Sequence, residues 1–223
     1  ARDKKVIAAA AEKIAGQTGF GALGIAADVS ESGSAEKVIG VAVESFGGVD
    51  ILVNNAGGPP AGSFDHHDDQ AWSRAAELNL MSAVRFSRTA IPHMRRKRWG
   101  RIINIVTIGG KAPTAERAPT VVTRAAGLAL TKVLAGEGAP HNVLVNALCT
   151  GQIITDQTRN QHQKMNPDMP FDEYLKERGK KIPLGRMGDA QEYANLACFL
   201  ASDAASYITG TSVNVDGGVC PVL

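Results

Sequence analysis

A doubly wound α/β architecture, a parallel sheet carrying helices on both faces in three layers, is what the sequence predicts. Two observations predict it. Apolar runs of strand length alternate with segments of helical periodicity along the chain. The strand-like runs are continuously apolar rather than alternating, as parallel strands covered on both faces are. The alternation implies right-handed crossovers between successive strands. No internal repeat or linker divides the 223 residues, so residues 1–223 read as one domain.

Residues 1–16 read as a helix, because Val6, Ile7, Ala10 and Ile14 recur at helical spacing. Gly19-Phe20-Gly21 breaks it, and residues 22–27 read as a short apolar strand ending at Asp28. An amphipathic helix over 30–46 closes at Gly47-Gly48. A buried strand follows over 49–54, then a long helix over 69–96 and a strand over 101–106. A helix over 119–138, a strand over 142–148, a helix over 191–201 and a last strand over 212–215 complete the series. Residues 151–188 break the rhythm. This connection is rich in Gln, Lys, Met and Pro, with a helical piece near 171–178, and is expected to act as a lid.

Composition excludes several function classes. Hydrophobic residues are 44% and charged residues 21%, with a net charge of +2, too small to argue for nucleic acid or a membrane surface. The basic run Arg95-Arg96-Lys97-Arg98 reads as a solvated helix end. Cys149, Cys198 and Cys220 form neither a disulfide framework nor a zinc motif, so no metal is expected. A reducing cytoplasm is the expected compartment. No apolar run approaches the roughly 20 residues that span a bilayer.

The strongest local signal is Asn54-Asn55-Ala56-Gly57 at the carboxyl end of a buried strand, where open α/β sheets bind ligands. With it stand Asp50-Ile51-Leu52-Val53 before the turn, Asn79-Leu80, and Gly100-Arg101-Ile102-Ile103-Asn104-Ile105. Val145-Asn146 with Gly151 and the ending Ile208 to Gly218 complete the set. Together these resemble the short-chain dehydrogenase/reductase family, with its Rossmann-like fold, over essentially the whole chain.

The resemblance implies a nicotinamide dinucleotide and a small-molecule substrate. It also implies an N-terminal βαβ unit with a TGxxxGxG turn, which these residues do not include. The expectation is that the protein carries that unit upstream. Asn55, Ala56 and Gly57 are carried over as cofactor contacts, and Asp28 with the adjoining Val29 as the adenine contact. Helix capping equally explains Asp28. Arg2 falls where the family often places a cation beside the adenosine ribose, which favours NADP, with NAD the alternative. Thr150-Gly151 with Thr155 resembles the family's PG…T stretch, and gives Thr155 a place on the nicotinamide or a phosphate.

The family's chemistry needs a tyrosine proton donor, a lysine four residues later, a serine on the substrate carbonyl and an asparagine holding a relay water. Asn79 matches the asparagine. Thr107 stands at the serine position, Thr120 at the tyrosine and Arg124 at the lysine, before the matching Ala125-Ala126-Gly127. Thr107 keeps a hydroxyl, and Arg124 keeps a charge able to hold a ribose. Thr120 is the serious loss, because an aliphatic hydroxyl is a far weaker acid than a phenol of pKa near 10. Substitute donors are His66, His67, Lys111, Glu116 and Tyr174, none with a specific spacing.

Three functions follow: an NADP(H)-dependent oxidoreductase with a rearranged proton path, a dinucleotide-binding protein without activity, or another reaction on the same scaffold. Apolar stripes including Leu128, Leu130 and Leu134 imply, with the family's helix pairing, a homo-oligomer, dimer or tetramer. In the lid, Met165, Met169, Pro170 and Phe171 would admit an apolar ligand without specifying one.

Overall fold

The structure is a computed structural model and describes residues 2–58 and 61–223. In chain order the elements are α1 (Lys4–Thr18), α2 (Ser34–Phe46), β1 (Ile51–Asn54), β2 (Ala61–Gly62), α3 (Asp69–Ala76), α4 (Ser82–Lys97) and β3 (Gly100–Thr107). There follow β4 (Ala118–Pro119), α5 (Thr120–Gly138), β5 (Val143–Thr150), α6 (Asp156–Met165), α7 (Phe171–Gly179), α8 (Ala190–Ala201) and β6 (Ser212–Val215).

The main sheet is parallel throughout, in the order β1-β3-β5-β6. Period-two alternation sends successive side chains to opposite faces. On one face Leu52, Ile102, Val143 and Val145 meet Phe86, Ala90 and Met94 of α4 and Ala135 of α5. On the other, Ile103 and Leu148 meet Leu196, Ala197 and Leu200 of α8. Helices thus cover both faces, as the sequence predicts. The short strands β2 and β4 pair antiparallel beside the sheet.

Two polar residues lock the layers together. The Asn54 amide donates to Asn104 Oδ1 at 2.8 Å and to Ser87 Oγ at 3.2 Å. Asn104 in turn donates to Thr131 Oγ1 at 2.9 Å. Each group is buried or half-buried and satisfied, so the chain of bonds ties β1 to β3, α4 and α5. Asn54, counted with the cofactor turn in the sequence, is therefore occupied inside the scaffold.

The structure corrects several expectations. Residues 22–27 form no strand and have no ladder partner among the described residues. Ala1, part of the expected first helix, lies outside the described residues. The expected helix over 69–96 is divided at Glu77–Met81 by a π-helical turn. That turn inserts an extra residue into the helical spiral and buries Asn79. The lid segment holds α6 as well as α7. Among the described residues no helix is long and apolar enough to cross a membrane.

Candidate active site

The carboxyl ends of β1, β3 and β5 point the same way, and the loops that leave them assemble the candidate site. The loop after β1 carries Asn55, Ala56, Gly57 and Gly58. Gly57 is where chains approach most closely. A Cβ built there would lie 2.0 Å from Arg124 Nη2 and 3.0 Å from Asn79 Oδ1. Only glycine leaves that space to the two side chains.

Asn79, brought inward by the π turn, accepts a hydrogen bond from the Gly58 N–H at 3.2 Å. Its amide donates to Thr123 Oγ1 at 3.1 Å and, at the long limit of 3.5 Å, to Thr120 Oγ1. Thr120 begins α5, and Arg124 lies one turn further along. Arg124 Nη1 donates to the Ile105 carbonyl of β3 at 2.5 Å. Burial pulls this guanidinium below its ordinary pKa, and the nearby Tyr193 phenol opposes the change. No ion pair involves Arg124 among the described residues.

Thr107 ends β3 and opens on a cleft of about 300 Å³ together with Thr150 and Thr155. Its hydroxyl donates to the Thr150 carbonyl at 3.3 Å and accepts from the Gly109 N–H at 3.4 Å. Thr155 caps α6, with its N–H bonded to Thr158 Oγ1 at 3.2 Å. Its backbone donor is thus committed to the helix end.

At the far end, Asp28 holds the turn before α2. Its carboxylate accepts from the Ser30 hydroxyl at 2.6 Å and the Ser30 N–H at 3.0 Å. These bonds hold its pKa below the ordinary carboxylate value. Its carbonyl accepts from Ser34 Oγ at 2.6 Å. Asp28 does not cap the helix, contrary to the capping alternative: Gly33 is the N-cap of α2 and makes no side-chain bond there, while Asp28 holds the preceding turn. Arg2 lies beside it, 3.7 Å away and exposed, so Asp28 supplies the acidic partner not foreseen for Arg2. Val29 packs against the apolar core beside α2 and also lines a depression with Asn55, Ala56 and Arg124.

The structure joins Asn79, Thr120, Arg124 and Gly57 in one contact set and puts Thr107 and Thr155 on a neighbouring cleft. It does not bring the substitute proton donors to that contact set. Lys111 Nζ donates to the Ser212 carbonyl at 2.8 Å, and Tyr174 is buried in the lid. Glu116 and His66 are exposed, and His67 turns toward Gly62. The phenol that reaches Thr150 is Tyr193 of α8, a residue that no spacing in the sequence singles out. Its oxygen is 2.8 Å from Thr150 Oγ1 and donates to the Leu148 carbonyl at 3.2 Å. Burial pushes its pKa up to about 12. Thr123, the firm partner of Asn79, is a further residue that sequence reasoning misses; its position three residues after Thr120 is the available signal. The cleft is mixed in character: Gln152, Gln157, Gln161, Arg117 and Arg178 line it together with Ile108, Ile153, Met187 and Val219. Met165 is exposed, and Met169 lines a different depression.

The family described as enoyl-(acyl carrier protein) reductase matches residues 1–220. The 3-oxoacyl-[acyl-carrier-protein] reductase of Escherichia coli K12 is 35% identical, over 98% of this chain and 88% of its own length. A 2,5-dichloro-2,5-cyclohexadiene-1,4-diol dehydrogenase of Sphingobium indicum is 36% identical, over 90% of this chain and 76% of its own. The L-sorbose reductase of Gluconobacter frateurii, solved with NADPH and L-sorbose, superposes with a TM-score of 0.94 at 32% identity, covering 100% of this chain and 86% of that one. With this match along the whole chain and in three dimensions, the protein belongs to the short-chain dehydrogenase/reductase family.

Proposed function

We propose that this protein is an oxidoreductase that interconverts an alcohol and a carbonyl group with NADP(H), through a proton path that differs from the family's. The observation that carries the reading is the contact at Gly57. There a cation and a buried amide meet at a position where a Cβ would push the guanidinium aside, on the loop where ligands of open α/β sheets bind. Arg124 spends one N–H on the Ile105 carbonyl and has no carboxylate partner among the described residues, so charge and N–H donors remain for ribose hydroxyls or a phosphate. The residues present fit a dinucleotide.

When bound, the dinucleotide would exchange a hydride with the substrate carbon. Asn55, Ala56 and Gly57 would line its nicotinamide half and Thr155 its amide or a phosphate. Arg2, beside Asp28 and Val29, would meet the adenosine end. The exposed guanidinium of Arg2 supports NADP over NAD, as does the NADPH in the sorbose reductase to which the chain is similar. Thr107 would exchange its long bond to Thr150 for one to the substrate oxygen. Asn79 would hold a relay water at Thr120, whose hydroxyl cannot itself release a proton near neutrality. Residues 1–223 act in this reading as one domain with residues 151–188 as the lid.

A titration with NADPH, followed by a panel of carbonyl substrates, tests the reading. Binding with turnover is expected; failure of the protein to bind either dinucleotide sinks it. Replacing Thr120→Tyr together with Arg124→Lys is expected to raise reduction by about 100-fold or more, the scale of general acid catalysis. A second reading, a dinucleotide-binding homologue without activity, is favoured by the loss of the family's tyrosine and lysine at Thr120 and Arg124. It gains if dinucleotide binds and no substrate turns over.

We also propose a dimer or tetramer built on α4 and α5. The structure turns Leu128 and Leu134 toward the core, so the exposed large apolar residues of α5 are Val122 and Val133. A monomeric mass in sedimentation refutes this assembly.

A further inference from the structure

The cleft in front of Thr107 holds a cation that the proton path and the dinucleotide leave unused. Arg178 closes α7, is half-buried, and lines the cleft with Gln152, Gln161 and Arg117. No carboxylate is among the described residues that line it. Arg178 has no ion-pair partner within 4.0 Å among the described residues.

The bonds of this guanidinium are all to neutral oxygens. Nε and Nη2 both donate to Gln152 Oε1, at 3.1 and 2.5 Å. Nη1 donates to Gln161 Oε1 at 3.1 Å and to the Tyr174 hydroxyl at 2.8 Å. Tyr174 is itself buried against His162, with ring centres 5.1 Å apart. The side chain is thus held in one orientation. A single amide oxygen spans the Nε–Nη2 edge, the edge whose two parallel N–H groups match the two oxygens of a carboxylate. A partly desolvated charge with only neutral partners leaves much of its possible stabilisation unrealised. A carboxylate displacing Gln152 would supply it through two charge-assisted bonds. The freed glutamine amides would then face the hydroxyls of a small polar ligand.

We propose that the substrate carries a carboxylate, which Arg178 receives while Thr107 meets the reacting oxygen. The substrate class is then a small oxo acid and its hydroxy acid, polar along its length, in keeping with a cleft of about 300 Å³. This assignment rests on the oxidoreductase reading for the reaction, but the binding step is separable from it.

The test is calorimetric titration of the full protein with sodium gluconate and with glucitol, a six-carbon pair that differs in the carboxylate. It is run with and without NADP⁺ at constant ionic strength. Gluconate is expected to bind at least tenfold more tightly than glucitol. Arg178→Met should erase that difference while leaving glucitol unchanged. Gln152→Glu, which places a carboxylate on the same guanidinium edge, should erase it with Arg178 still present, and decides the matter if the Met variant does not fold. Equal affinity for acid and polyol, no binding of either, or equal losses for both ligands in the variants would each overturn the proposal. Failure of the parent protein to bind NADP⁺ would instead sink the oxidoreductase reading, whatever the gluconate result.

Discussion

Strands β5 and β1 lie in the same sheet and differ in almost everything that makes a strand secure. β5 has β3 on one side and β6 on the other, and seven of its eight residues are buried. β1 has only β3 beside it among the described residues, and Leu52 is its one buried residue. Ile51 and Val53 remain 47% and 48% exposed although both are apolar. β1 borders the position where the family resemblance expects an N-terminal βαβ unit, so an apolar strand reports burial only together with all of its neighbours. What secures β1 is polar, the Asn54–Asn104–Thr131 chain at its carboxyl end. The candidate site spans both regimes, since Gly57 leaves the open strand and Arg124 comes from the helix covering the closed one.

The widest separation between the two regions is expected in stability. Ile102→Ala, fully buried in β3 where it neighbours β5, should cost about 2–5 kcal/mol. Val53→Ala on β1, measured in residues 1–223 alone, should stay within about 0.5 kcal/mol, the usual range for exposed positions. Urea midpoints measure both, and comparable losses would break the contrast.

Alkaline pH probes the closed half next. Burial raises the Cys149 thiol from 9.0 to about 11 and the Tyr193 phenol from 10.0 to about 12. In both, the folded state keeps its proton longer than the unfolded chain. The stability they contribute is therefore full below about pH 9 and is lost as pH rises through the folded values. A tenfold difference in proton affinity between folded and unfolded chains is worth about 1.4 kcal/mol, so Cys149 accounts for up to roughly 3 kcal/mol. Unfolding midpoints should fall between about pH 9 and 12, and Cys149→Ser should flatten the first part of the decline. An unchanged midpoint to about pH 11 would show that Cys149 is not desolvated as described.

The smallest effect joins the two regions at the site. Gly57→Ala should displace Arg124 and weaken NADPH binding about tenfold, equivalent to about 1.4 kcal/mol. In an Arg124→Ala background the same change should cost little, because the side chain it meets is gone. Equal losses in both backgrounds would place the role of Gly57 elsewhere than in this contact.

Regular elements with an apolar period were legible in the sequence. The strand over 212–215 occurs as read, and the helices over 119–138 and 191–201 begin within one residue of the expected position. Elements without such a period were not. α6 is polar around its circumference, with Asp156, Arg159, Gln161 and Lys164, and so shows no apolar stripe by which to read it as a helix. Residues 22–27 have strand composition but no ladder partner among the described residues, and a strand exists only through its neighbour. The π turn at Glu77–Met81 left no mark on the apolar spacing, yet it is what aims Asn79.

By itself, then, the sequence determined the order of the four main-sheet strands along the chain and the family, and it set the expectation that Thr120 and Arg124 stand in place of a phenol and an ammonium. Those properties are written in local spacing and side-chain chemistry. Only the tertiary structure decided that Asn79 and Arg124 converge on Gly57, that Asn54 is spent on the scaffold, and that Arg178 faces Thr107's cleft without a counter-charge among the described residues. Convergence and charge pairing depend on residues distant along the chain, which no window of sequence contains.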